Sequence, residues 1–151
     1  MDEADDMRRS TADAATAFRA LITGTDLSTP VADGWTAKEM VAHVAFWLET
    51  TQPFVSGMWR GDPSAFDHTF PSGFTAATDG SWPEAEVHNA REAAWAREQS
   101  DFAVLDRLDA AIASLDAFLE TVTDEEAIAQ AEYYADIAHH LRAHRSELAA
   151  T

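Results

Sequence analysis

The feature that most limits what this chain can fold into is a sustained three-four apolar repeat: Phe102, Leu105, Leu108, Ile112, Leu115, Leu119 and Val122. Side chains three and four residues apart share one face of an α-helix, so the repeat predicts a long amphipathic helix with one face to bury. Such a face needs others like it, and the chain supplies three more. Met7, Thr11, Ala14, Ala15, Phe18, Leu21 and Ile22 mark a first helix, stopped at Gly24. Met40, His43, Val44, Trp47 and Leu48 mark a second, entered through Trp35-Thr36-Ala37-Lys38-Glu39, where Thr36 and Glu39 have the spacing of a capping box. Ile128, Tyr134, Ile137, Leu141 and Leu148 mark a last helix, from about Glu125 towards Ala149. The pattern predicts an all-α four-helix bundle, with residues 1–151 as a single domain.

The connections differ in kind. Asp26 to Gly34, with Pro30 inside, reads as a loop. Between the second and third helices, from about Val55 to Gly80, the helical period is lost. Gly57, Gly61, Pro63, Pro71, Gly73 and Gly80 punctuate this stretch, yet it carries Trp59, Phe66, Phe70 and Phe74. Structureless connections of this length are uncommon in compact domains. Two readings stand: a lid over a pocket, with Trp47 and Trp59 as its candidate walls, or a crossover that packs its aromatics on the bundle. Ser81 and Glu84 repeat the capping-box spacing before the third helix, and Gln99-Ser100-Asp101 offers a break with a fresh N-cap.

Charge and composition exclude several functions. Ten basic residues stand against 27 acidic ones, a formal net charge of −17, and a field of that sign repels phosphate backbones. No nucleic-acid partner is expected. There is no cysteine, so neither a disulfide framework nor a cysteine nucleophile exists; thiol chemistry would need a small-molecule thiol. The N-terminal Met1-Asp2-Glu3-Ala4-Asp5-Asp6 lacks the basic and apolar regions of a signal peptide, and no apolar run approaches spanning length. The expectation is a cytoplasmic protein with no membrane partner.

Within Ala138-His139-His140-Leu141-Arg142-Ala143-His144, the four-residue step puts His140 and His144 on one helix face, and His139 off it. One helix gives a metal two neighbouring ligands in this way. His43, on the apolar face of the second helix, is the candidate third ligand, or else a hydrogen-bonded core residue. Three imidazoles suit zinc, nickel, copper or iron, and leave positions open as catalytic zinc sites do. Asp136, one turn before His140, is either an acceptor for an imidazole N–H or a solvated surface carboxylate. His68 and His88 read as exposed or capping residues.

The segment Gly34-Trp35-Thr36-Ala37-Lys38-Glu39-Met40-Val41-Ala42-His43-Val44-Ala45-Phe46-Trp47 resembles the second-helix signature of the DinB-like superfamily. Ala135 to His144 resembles its fourth-helix H-x-x-x-H, and Val87-His88-Asn89-Ala90 is similar to the third helix of the ClbS/DfsB branch. The resemblance implies an up-down-down-up bundle with a long crossover between helices 2 and 3, a homodimer, and one divalent metal on His43, His140 and His144. Relatives include mycothiol-dependent maleylpyruvate isomerase and bacillithiol transferases, in which the metal, zinc foremost, activates a low-molecular-weight thiol. The expected activity is addition of such a thiol, or of water, to a small hydrophobic electrophile. Two alternatives accompany it: a metal-free ClbS/DfsB-like electrophile-binding or hydrolytic protein, and a non-catalytic helical module with a basic partner.

Overall fold

Side-chain caps start most of the helices. In a computed structural model, which describes residues 2–76 and 81–151, Asp2 caps α1 (Glu3–Thr23) and Thr36 caps α2 (Ala37–Glu49), each accepting from the backbone N–H three residues on. A π-helical turn (Thr51–Ser56), the single turn α3 (Gly57–Trp59) and a 3₁₀ turn (Pro63–Asp67) follow. Then come α4 (Ala85–Glu98), α5 (Asp101–Thr121), capped by Ser100, α6 (Asp124–Ala129), capped by Thr123, and α7 (Ala131–Ala149). The described residues contain no extended strand, only isolated bridges at Pro30–Thr36 and Thr69–Thr75.

Cross-helix bonds fix the directions. Arg8 on α1 reaches the Val122 carbonyl and Asp124, while Arg19 pairs with Asp109, so α1 and α5 run oppositely. Lys38 on α2 donates to the Gln99 carbonyl just before α5, and Glu49 pairs with Arg107 within it, so α2 and α5 run the same way. His43 faces His140 and His144, while Thr51 meets Tyr133, so α7 opposes α2. The four long helices α1, α2, α5 and α7 therefore form an up-down-down-up bundle.

The Gln99-Ser100 break is a reversal. Both residues are extended, with ψ of 156° and 158°, and α4 runs back along α2 through the Trp47–Asn89 bond before α5 sets off the other way. Packed by α4, α5 and α7, α2 is buried on almost every side from Ala37 to Phe46. Its Phe46 joins a second cluster with Phe54, Phe70 and Ala76, against which Phe66, Phe74 and Trp82 pack. The stretch after Val55 thus packs its aromatics on the bundle. Gly73, at φ 89°, turns the chain tightly so that Phe70 N–H reaches the Phe74 carbonyl. Residues 77–80 of the expected connection, Gly80 included, lie outside the described residues.

Four details correct the sequence reading. α4 starts after Glu84 without a side-chain cap, not from a Ser81 box. Thr36 accepts the Glu39 N–H, but the Glu39 carboxylate meets the Thr36 hydroxyl instead of its backbone. Phe102 is 78% exposed, because the buried row of α5 runs through Val104, Leu108, Ala111 and Leu115. The last helix is two: it breaks at Gln130, which rotates Ile128 off the α7 stripe and leaves it 57% exposed.

Candidate metal centre

The capped α2 carries His43 inward between Trp35, 5.0 Å away ring to ring, and the face of α7. From α7, His140 and His144 point back one turn apart. The three Nε2 atoms form a near-equilateral triangle: 3.0 Å from His43 to His140, 3.1 Å from His43 to His144 and 2.9 Å from His140 to His144. His43 and His144 are buried, and His140 is partly open to solvent.

Neighbouring groups decide which nitrogens carry protons. The indole N–H of Trp47 can only donate, and it donates to Asn89 Oδ1 at 3.2 Å. That oxygen lies 3.0 Å from His43 Nδ1, which must therefore carry its hydrogen. His144 Nδ1 donates to the Glu147 carboxylate at 3.1 Å. With Nδ1 of each turned to an oxygen acceptor, His43 and His144 present their Nε2 atoms to each other across 3.1 Å. A proton on His140 Nε2 can bridge to one of them, but not to both. The arrangement suits a shared cation.

Burial favours the neutral form of His43 and His140. It is the main cause that lowers the His43 pKa to about 3, with the charges of His140 and His144 adding to it and the Asn89 bond opposing. His140 is lowered to about 4, again chiefly by burial and then by His144 and His139. Neutral imidazole is the form that ligates a metal, so at pH 7 these rings need lose no proton to bind one. Among the described residues, His43, His140 and His144 are the group of side chains that could hold an ion.

The other sequence candidates separate. Asp136 is exposed and makes no hydrogen bond to the triad; the carboxylate that reaches it belongs to Glu147. Trp47 lines an apolar chamber, whereas Trp59 is absent from that wall and packs edge-on against Tyr133, 5.1 Å away. His139 is exposed, and His68 is partly buried against Phe70. His88 is fully buried, not exposed: it lies among Phe46, Trp47, Phe74 and Trp82, accepts from Arg91 at Nδ1, and has its pKa lowered to about 4, first by burial. Asn89 and Glu147 are absent from the sequence candidates: Asn89 comes from another helix with no local signal, while the three-residue step from His144 on α7 is the signal for Glu147.

A helical bundle with a histidine triad between facing helices defines the class, and the family follows from comparison. The chain belongs to the mycothiol maleylpyruvate isomerase N-terminal domain family, whose model matches residues 8–150. This family is a member of the DinB-like superfamily, in agreement with the His43 and His140/His144 segments. No curated protein and no solved structure matches the chain. No helix among the described residues is long and apolar enough to cross a membrane.

Proposed function

We propose that this chain, as one domain, is a divalent-metal-binding enzyme that adds a low-molecular-weight thiol or water to a small hydrophobic electrophile. The observation that carries this reading is the convergence of the Nε2 atoms of His43, His140 and His144, which lie 2.9 to 3.1 Å from one another. His43, His140 and His144 would hold zinc, or nickel or iron in its place. Bound there, the ion would lower the pKa of a coordinated thiol or water and supply a nucleophile at neutral pH. Asn89 and Glu147 fix the orientation of two of the rings. The family's description names mycothiol, and a chain without cysteine must draw any thiol from a co-substrate, which together favour the thiol over water.

Metal analysis of protein purified without an affinity tag tests the reading. About one divalent ion per chain is expected, or uptake of one on titration, and His43→Ala should lose it. Protein that neither carries nor takes up an ion would sink the proposal. Electrophile consumption measured with and without added thiol then separates transfer from hydrolysis.

A further inference from the structure

A chamber of about 320 Å³ opens between α2 and α7, next to Trp47. Trp47 of α2, Phe54 of the π-helical turn, Phe66, Trp82 and Tyr133 of α7 form most of its wall, and no lining residue is charged. Its two hydroxyls are already engaged: Thr50 donates to the Trp47 carbonyl at 2.7 Å, and Tyr133 shares a hydrogen with Thr51 at 3.3 Å. A volume near the lower end for small-molecule sites fits a compact ring system and not a peptide. Walls of this kind cannot hold a charge, so a charged or reactive end would have to project out of the chamber.

Position ties the chamber to the histidines. Trp47 follows His43 by one turn of α2, and Tyr133 precedes His140 by two turns of the opposed α7, so the chamber and the triad are successive levels of one interhelical groove. Trp47 belongs to both levels. Its ring is chamber wall, and its N–H holds the Asn89 oxygen that fixes the His43 tautomer.

We propose that this chamber binds the apolar, ring-bearing body of the substrate, and that its occupancy and metal binding at the triad reinforce each other through Trp47 and Asn89. The linkage half rests on the metal reading above; the chamber half does not. A flat ligand packed on the indole restrains its rotation and keeps the N–H on Asn89, so that His43 is held ready for the ion. By thermodynamic linkage, the ion must then favour the ligand by the same factor.

The probe is 2-naphthol, a neutral two-ring phenol, titrated calorimetrically into tag-free protein with and without zinc. Zinc should tighten probe binding about 3- to 10-fold, and the probe should tighten zinc binding equally. Trp47→Phe keeps a ring but loses the N–H, so probe binding should persist and the mutual effect vanish. Val55→Phe fills the chamber and should weaken the probe at least 10-fold, in metal-free protein too. The wild-type readout needs no variant: in methyl-labelled protein the probe should shift the Met58 signal at the chamber wall and leave Met7 and Met40 in place. An unmoved Met58 methyl overturns the chamber, and equal probe affinity with and without bound zinc overturns the linkage. Failure of zinc to bind at all overturns the metal reading and the linkage, while the Met58 shift still decides the chamber.

Discussion

Two groups of buried polar side chains sit on either side of α2, and they solve the problem of burial differently. On the α4/α5 side, Arg107 is held by both carboxylate oxygens of Glu49 and by Glu92 at 2.7 Å. Glu92 in turn accepts from Arg91 and Ser72. Burial by itself would lower the Arg107 pKa, but the Glu49 bond and the charges of Glu49 and Glu92 outweigh it and raise the value. Each charge there meets its opposite. On the α7 side, three imidazoles turn Nε2 toward one point, and the polar groups around them, Asn89 and Glu147, hold the outer nitrogens of His43 and His144. One cluster is complete as protein. On the proposed reading, the other is completed by a cation.

The sharpest way to break this comparison is to remove the cation from the complete cluster. Arg107→Met leaves Glu49 and Glu92 facing each other in the core and should cost about 3–5 kcal/mol, read from the urea midpoint. A loss below about 1 kcal/mol would show that the network is solvated in solution. The converse experiment adds a cation to the other cluster. Zinc at 100 to 1,000 times its dissociation constant should stabilise the protein by about 3–4 kcal/mol, which a melting curve reports at roughly 2–4 °C per kcal/mol. His43→Ala should abolish that rise while leaving the Arg107 network intact.

Acid should weaken the metal-free protein next. His43, His88 and His140 have pKa values held below the unfolded value, so the unfolded chain binds more protons as pH falls. Their contribution is fully present above about pH 6.5 and is lost progressively towards the folded values. Between pH 7 and 5 these histidines should lower stability by about 2 kcal/mol or more. A flat profile over that interval would mean that the rings are more open to water than the structure shows. Zinc should protect the His43 and His140 share and leave that of His88.

The smallest effects come from the ring-orienting groups. Asn89→Leu should weaken zinc about 10-fold, close to 1.4 kcal/mol, by releasing the His43 tautomer. Asp136→Asn should leave zinc affinity unchanged, since that carboxylate faces solvent. Competition with a chromophoric chelator measures both, and the reverse ranking would exchange their roles.

Much of this was legible in the residues, for a physical reason. Apolar spacing depends only on the helical period, so Ala14, Phe18 and Ile22 on α1 and Leu141 and Leu148 on α7 face inward as their spacing predicts. The Ser100 break is local chemistry too, a hydroxyl accepting from Ala103 N–H. At Ile128 the pattern ran across the Gln130 break and pointed the wrong way, because each new helix resets the phase, whereas Phe102 sits in the first turn of α5, off the buried row of Val104, Leu108, Ala111 and Leu115.

By itself, then, the sequence determined that the chain is a helical bundle and that His140 and His144 share a face, since both follow from 3.6 residues per turn. Only the tertiary structure decided that His43 meets them at 3.0 and 3.1 Å, that Asn89 holds the outer nitrogen of His43, and that His88 is entombed. Those outcomes depend on the register of one helix against another, which the packing of whole faces sets and no local spacing encodes.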